Sequence, residues 1–128
     1  MLENWHFIKD KFDFHTEPKG RTDGTFTDFD SLDDKIDNLY YHMQFVKCGF
    51  GRAVRDSCRM IQNNQMTREE GLDLARKYDD EFPSTFHEEH LEYLNLSELE
   101  FTETLDKHRD PEIWEQSGNQ WVLRHALK

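Results

Sequence analysis

Hydrophobic side chains recur at helical spacing over most of this chain, and this pattern predicts a mainly α protein. The longest stripe consists of Leu32, Ile36, Leu39, Met43 and Val46. Because residues three and four apart share one face of a helix, the stripe predicts a helix that runs towards Cys48. Ser31, with Asp34 three residues later, resembles a capping box and is expected to begin this helix.

Further helices are predicted on both sides of this stripe. Glycines at 49 and 51 interrupt it, and a helix from Arg52 to about Asn63 is expected after them. Two more capping boxes, in which a Thr or Ser precedes a Glu by three residues, mark later helix starts. The remaining expectations are a short helix over about 2–11, boxes at Thr67–Glu70 and Ser97–Glu100, and a helix over about 84–94.

Two stretches depart from the helical pattern. Residues 14–30 are rich in Gly, Thr and Asp and carry turn chemistry, so we expect an ordered loop. Residues 117–128 should form a C-terminal arm, in which the run from Gln120 to Arg124 could be a short strand. With a helical core over 31–116, we predict a single domain over 1–128: a compact bundle of about five helices with an extended N-terminal loop and a short C-terminal extended arm.

Composition and charge narrow the range of functions that the chain could have. Apolar residues make up only 35% of the chain, but 10 Phe, 4 Tyr and 3 Trp supply the bulky surface that a folded core needs. The net charge of −11 repels phosphate backbones and anionic lipids, which disfavours general binding to nucleic acids or membrane surfaces. No apolar run reaches the length of a membrane span or a signal peptide, and the two cysteines form no CxxC pair, so we expect a cytoplasmic protein.

A basic stripe is the clearest candidate site. Arg52, Arg55 and Arg59 are spaced by three and four residues, so on a helix they share one face and could bind a phosphate or carboxylate near the helix start. The alternative is that the arginines pair within the protein. The acidic side chains in question are Asp56, one turn beyond Arg52, and Asp33, Asp34 and Glu69.

An acidic cluster and a histidine pair could each be either a structural feature or a ligand site. The carboxylates near Asp33 suit a helix start, yet one could face a ligand or a magnesium ion held by nucleotide phosphates. His87 and His90 share a helix face, but spacing identifies no third metal ligand and HExxH is absent, so a surface helix is favoured and no metal is predicted. No nucleophile motif or glycine-rich phosphate loop occurs, so no catalytic residue is assigned.

Five strings of residues carry a family resemblance. They are GTFTDFDSLDDK at 24–35, YYHMQFVKCGFGRA at 40–53, TREEG at 67–71, YDDEFP at 78–83 and WVLRH at 121–125. In order and spacing they resemble the C-terminal region of the N-acetyl sugar amidotransferase family, the lipopolysaccharide-biosynthesis proteins of the WbpG and PseA type. The resemblance covers nearly the whole chain. Cys48 stands where the family usually has an aromatic residue, and Asp80 where it usually has Gly.

The resemblance implies a larger enzyme with an N-terminal ATP-pyrophosphatase domain, which would supply the SGGxDS phosphate loop and bind ATP and Mg²⁺. In that family, ammonia from a glutaminase partner passes through a cyclase-like partner and converts an acetamido group on a nucleotide sugar to an acetamidino group. This segment would then be a non-catalytic, substrate-shaping part that packs against the ATP domain. The substrate-binding residues carried over by position are Asp33, Asp34, Lys35, Lys47, Arg52 and Asp56.

Two other functions stay open from the sequence. A small helical protein-interaction module without activity is the first alternative, and a helix-turn-helix nucleic-acid binder is the weaker one. The second helix of that pair opens with Glu69, Glu70 and Asp73, where a DNA reader would place donors. Because few apolar residues remain for a core that another domain normally covers, we also predict an exposed apolar patch and a homodimer.

Overall fold

The computed structural model describes residues 2–127, and over this range it contains six α-helices and one small antiparallel sheet. This confirms the predicted mainly α class. The elements are α1 (Leu2–Phe12), α2 (Asp37–Cys48), α3 (Arg52–Gln62), α4 (Arg68–Tyr78), α5 (His87–Leu94), α6 (Glu98–Lys107), β1 (Trp114–Ser117) and β2 (Gln120–Leu123).

Two of the three predicted capping boxes are present. The Thr67 hydroxyl accepts a hydrogen bond from the Glu70 backbone N–H (3.3 Å), and the Glu70 carboxylate accepts one from the Thr67 N–H (2.9 Å). Ser97 and Glu100 make the same pair of bonds at the start of α6. Each box satisfies backbone donors that the first helical turn leaves without partners, which is why these two starts could be predicted locally.

The predicted box at Ser31 is wrong, and α2 begins at Asp37 instead. Asp34 accepts a hydrogen bond from the Ile36 N–H at 3.0 Å, a turn that competes with helix formation, and Ser31 has a positive φ of 52°. The helix expected from Ser84 begins three residues later, at His87. Its first residues are held elsewhere, because both the backbone N–H and the hydroxyl of Thr85 donate to Asp23, each at 2.9 Å.

The core lies between α2 and the α5–α6 pair. Leu39 and Val46 of α2 pack with Phe101 and Leu105 of α6, and the partly buried Ile36, Met43, Leu91 and Leu96 surround them. α3 and α4 lie close together at Gly71, where an added Cβ would come within 2.9 Å of the Ile61 Cδ1 atom. A glycine at this position therefore permits the close helix contact.

The C-terminal run is a paired strand, so the expectation of a short strand there is confirmed, but its partner β1 was not predicted. The two strands pair from Trp114 opposite Leu123 to Ser117 opposite Gln120, and Gly118, with a φ of 64°, lies in the turn. Trp114 is buried, and its indole N–H donates to the Val46 carbonyl oxygen at 2.7 Å. This contact joins the hairpin to α2.

The first helix lies at the periphery. None of the residues Leu2–Phe12 is buried, and α1 contacts the rest of the protein through Trp5, whose ring stacks on Phe29 at 4.9 Å. No helix within residues 2–127 has both the length and the apolar character needed to cross a membrane.

Candidate functional site

The start of α3 brings two of the predicted site residues together in the interior. The side chains of Arg52 and Asp56 are both 0% exposed, and the Arg52 Nε lies 4.0 Å from the Asp56 carboxylate. Arg52 also donates to the Asp30 carbonyl oxygen at 2.5 Å and to the Asn38 side-chain oxygen at 3.4 Å. Burial lowers the pKa of Arg52, and the neighbouring Asp56 acts in the opposite direction.

The loop over residues 14–30 supplies two of the hydrogen-bond partners of Asp56. The buried hydroxyl of Thr25 donates to the Asp56 carboxylate at 2.7 Å, and the buried hydroxyl of Thr27 does so at 3.5 Å. Hydrogen bonds to a buried carboxylate offset the cost of removing its charge from water. The loop is therefore held against α3 by charge-assisted bonds.

Arg55 extends the same cluster to the surface. Its guanidinium group lies over the Tyr41 ring, 4.5 Å from the centroid, and bonds to the Tyr41 hydroxyl and the Asp30 carboxylate. Its Nε also donates to Asp56 at 3.1 Å, while 22% of the side chain stays exposed. We refer to Asp30, Tyr41, Arg52, Arg55 and Asp56 as the arginine clamp. Arg52 and Arg55 therefore pair within the protein, as the alternative interpretation of the stripe expected, and of the two only Arg55 reaches solvent. Anion binding by the stripe stays a prediction.

The other predicted site residues lie apart from the clamp. Arg59 is exposed, and the acidic partners of the stripe are Asp30 and Asp56. Lys35 is exposed and pairs with Glu89 at 2.5 Å. The remaining exposed residues of the predicted set are Asp33, Asp34 and Lys47. Only Arg52 and Asp56, of the six residues predicted to bind substrate, are thus brought together, and substrate binding by any of them stays a prediction.

Asp79 is a structurally important residue that the sequence analysis did not single out. Its carboxylate accepts hydrogen bonds from the Gly51 N–H at 2.7 Å and the Val54 N–H at 2.9 Å, so it caps α3 from the end of α4. Burial raises the pKa of Asp79, although these hydrogen bonds favour its charged form. A carboxylate at a helix C-terminus is disfavoured by the helix dipole, and that unfavourable position is the signal that could have identified it.

A second set of contacts joins the loop to the segment between α4 and α5. Arg21 makes a bidentate ion pair with Glu81, with both N–O distances 2.6 Å, and the Gly24 N–H donates to the same carboxylate at 2.8 Å. Hydrogen bonding between the two side chains raises the pKa of Arg21 and lowers that of Glu81. Together with the Asp23–Thr85 bonds, this ion pair forms what we call the loop ties.

The two histidines of the predicted surface helix have separate partners. His87 Nε2 lies 2.8 Å from the Glu98 carboxylate, whereas the buried His90 donates to the Lys35 carbonyl oxygen at 2.9 Å. Over residues 2–127, no group of three or more His, Cys, Asp or Glu side chains is arranged to hold a metal ion.

Comparison with known families identifies the group to which the chain is related. The family described as "LPS biosynthesis protein WbpG-like, C-terminal domain" matches residues 23–128. The chain belongs to this family. The match confirms the resemblance to a C-terminal segment of WbpG-type lipopolysaccharide-biosynthesis proteins. No curated protein matches the chain. In this WbpG-like domain the matched span contains the whole arginine clamp and Asp79, whereas α1 and Arg21 precede it.

Proposed function

We propose that this WbpG-like domain is the accessory, substrate-shaping part of an ATP-dependent N-acetyl sugar amidotransferase. The enzyme would convert an acetamido group on a nucleotide sugar to an acetamidino group during surface polysaccharide biosynthesis. The observation that carries the proposal is the match to the WbpG-like C-terminal domain over residues 23–128. The strings at 24–35 and 40–53, which resemble the amidotransferases, support the finer assignment.

The proposed role of this domain is to position substrate without taking part in catalysis. The contacts that hold the 14–30 loop support this role. The clamp gives Arg52 and Asp56 partners inside the protein, so these groups act by holding the 14–30 loop in one conformation. A loop held at both the clamp and the loop ties can present backbone and side-chain groups to a ligand at a low entropic cost. We therefore assign shaping of the sugar side of the site to this loop.

ATP and Mg²⁺ would be bound by the ATP-pyrophosphatase domain and would supply the activation of the acetamido oxygen. Within this chain, the exposed carboxylates of Asp33 and Asp34 could face such a site, since they lie at the surface beside α2. Lys35 and Lys47 are also exposed and could meet the phosphates of a nucleotide sugar. In the proposed substrate site, these four exposed residues would contact the ligands directly, whereas the buried Arg52 and Asp56 would hold the loop.

The proposed partners are the ATP-pyrophosphatase domain and the glutaminase- and cyclase-like subunits. Exposed apolar side chains are suited to such contacts: Phe7 and Phe12 of α1 are 58% and 69% exposed, and Tyr93 and Leu99 are 78% and 68% exposed. The same side chains favour the second candidate function, a protein-interaction module without activity, and a homodimer is a further proposal. The helix-turn-helix alternative has the least support, because α4 opens with carboxylates.

Reconstitution tests the proposed function. An ATP-pyrophosphatase subunit of this enzyme type is assayed for ammonia-dependent conversion of a UDP-N-acetyl sugar, with and without this domain. We expect conversion only when both are present, and a loss of activity in a Lys35→Ala, Lys47→Ala double variant. The exposed Lys107→Ala variant is the matched control. Unchanged conversion in the absence of the domain would reject the substrate-shaping role and favour the interaction module.

A further inference from the structure

A small polar pocket lies between the 14–30 loop, α2 and the segment before α5, with a volume of about 180 Å³. Thr22, Asn38, Thr85 and Phe86 contribute to its wall. Both sets of contacts described above reach it, because Arg52 of the clamp bonds to Asn38 and Asp23 of the loop ties bonds to Thr85. The wall is therefore formed by side chains whose positions are already held by the fold.

The hydrogen-bonding groups of the wall suit a polyhydroxylated ligand. The Asn38 side-chain oxygen accepts from Arg52, which orients the amide so that its nitrogen can donate to a ligand. The Thr22 hydroxyl is buried and has no hydrogen-bond partner among residues 2–127, which is costly unless a ligand or water supplies one. The Thr85 hydroxyl donates to Asp23, so its oxygen lone pairs can accept. The Phe86 ring adds an apolar surface.

Charge and size restrict the ligand further. Two basic residues, Lys19 and Arg21, and two acidic residues, Glu17 and Asp23, line the pocket, so their formal charges cancel. A balanced wall favours a neutral ligand over a phosphate, which would be drawn to a net positive site. The volume of about 180 Å³ is well below the roughly 300–1,000 Å³ of pockets for drug-sized ligands, so it leaves room for one sugar ring but not for a whole nucleotide sugar.

A larger cavity of about 370 Å³ between α3 and α4 fits such a ligand less well. Its wall is mostly apolar, with Val54, Ile61 and Leu72 among its residues. A sugar placed there would leave most of its hydroxyls without partners. Nothing in the structure shows what covers this cavity, and the smaller polar pocket is therefore the better sugar site.

We propose that the polar pocket binds one neutral pyranose ring, with the Asn38 amide and the Thr22 hydroxyl bonding to ring substituents and Phe86 packing on its apolar face. In the context of the proposed function, on which this identification of the ligand rests, the ring is the sugar of the nucleotide-sugar substrate. Arg52 is then a positioning residue that acts through Asn38. On this proposal, the buried Arg52 would influence substrate binding without touching the ligand.

The test uses the full chain and three probes: the methyl glycoside of N-acetylglucosamine, UDP, and UDP-N-acetylglucosamine. Backbone amide shifts in NMR titrations report where each probe binds. We expect the glycoside to bind in the millimolar range and to shift the amides of Thr22, Asn38, Thr85 and Phe86. No shifts at saturating glycoside, or the same shifts with UDP alone, would overturn the sugar-ring assignment.

The variant Thr22→Val separates binding from folding. It removes a buried hydroxyl that has no partner in the described structure while keeping the side-chain shape, so Tm should not fall. Glycoside affinity should decrease about tenfold if the hydroxyl bonds to the sugar. Thr102→Val, on the exposed face of α6, is the control and should bind as the wild type does. Equal glycoside affinity of Thr22→Val and wild type would refute the proposed contact.

The outcomes distinguish this pocket from the proposed function. If UDP-N-acetylglucosamine binds and the reconstituted enzyme is active, but pocket amides and Thr22→Val show no effect, the pocket assignment fails alone. If the glycoside binds in the pocket but reconstitution shows no need for the domain, the pocket remains a sugar site and the amidotransferase role fails.

Discussion

Protonation of His42 should control much of the acid sensitivity of this domain. Burial lowers the pKa of His42 to about 4, and the nearby positive charge of Arg109 adds to this effect. Asp80 and a hydrogen bond to the Glu81 backbone act in the opposite direction. In the unfolded chain the pKa of histidine is about 6.5, so between these two values the unfolded state binds more protons than the folded state.

The sign and size of the effect follow from this difference. The stabilisation is fully present above pH 6.5 and is lost as the pH falls towards the folded-state pKa of about 4. At about 1.4 kcal/mol for each pKa unit, the free energy of unfolding should decrease by about 2 kcal/mol at pH 5 and about 3 kcal/mol at pH 4. This is a large part of the stability of a small domain.

The assay is urea denaturation of the wild type and His42→Phe at pH 7, 6, 5 and 4. Since carboxylates titrate in both proteins, the difference between the two pH profiles isolates His42, and it should grow in favour of the variant below pH 6.5. The exposed His125→Phe variant should follow the wild type. Parallel profiles for His42→Phe and wild type, or an NMR titration of His42 near pH 6.5, would refute the reasoning.

Three substitutions test the interior contacts by urea denaturation. Arg52→Ala should cost about 1–3 kcal/mol because it leaves the buried Asn38 oxygen and the Asp30 carbonyl without their donor, while Asp56 keeps Arg55 as its cation. Arg59→Ala on the exposed face should change stability by less than about 0.5 kcal/mol, and similar values for both would contradict the clamp. Asp79→Ala should cost about 1–3 kcal/mol through the lost bonds to the start of α3, and the exposed neighbour Asp80→Ala is its control. Gly51→Ala should also destabilise, because the new Cβ would lie 2.8 Å from the Asp79 carbonyl oxygen; wild-type stability would show that the backbone can shift there.

In this acidic chain, several arginines form the tertiary contacts that hold the 14–30 loop. The chain has a net charge of −11, so basic side chains are fewer than the carboxylates with which they could pair. Three of the arginines, Arg21, Arg52 and Arg55, form bonds that hold the 14–30 loop. Such loops are usually the most mobile parts of a domain, whereas these bonds fix this loop to α3 and to the segment between α4 and α5. Both proposals therefore include ligand contacts on this loop, beside those on α2 and on the segment before α5.

The local sequence determined the helices and their best-defined starts. The boxes at Thr67 and Ser97 operate within three residues, and the spacing of Leu39 and Val46 marks the buried face of α2 in the primary structure. Such features depend only on neighbours along the chain, so they can be predicted without knowledge of the fold. The WbpG-like membership, too, was visible from the strings of residues alone.

Tertiary structure decided the features that depend on distant partners. Asp23 holds Thr85 across 62 positions and delays the start of α5, and Thr25 reaches Asp56 across 31 positions. From the sequence, Arg52 could equally have been a surface anion ligand or a buried ion-pair partner. Arg52 is buried because the loop packs over α3 and supplies a hydrogen-bond acceptor, and because Asp56 supplies the counter-charge. Without such partners the removal of an arginine from water would be too costly.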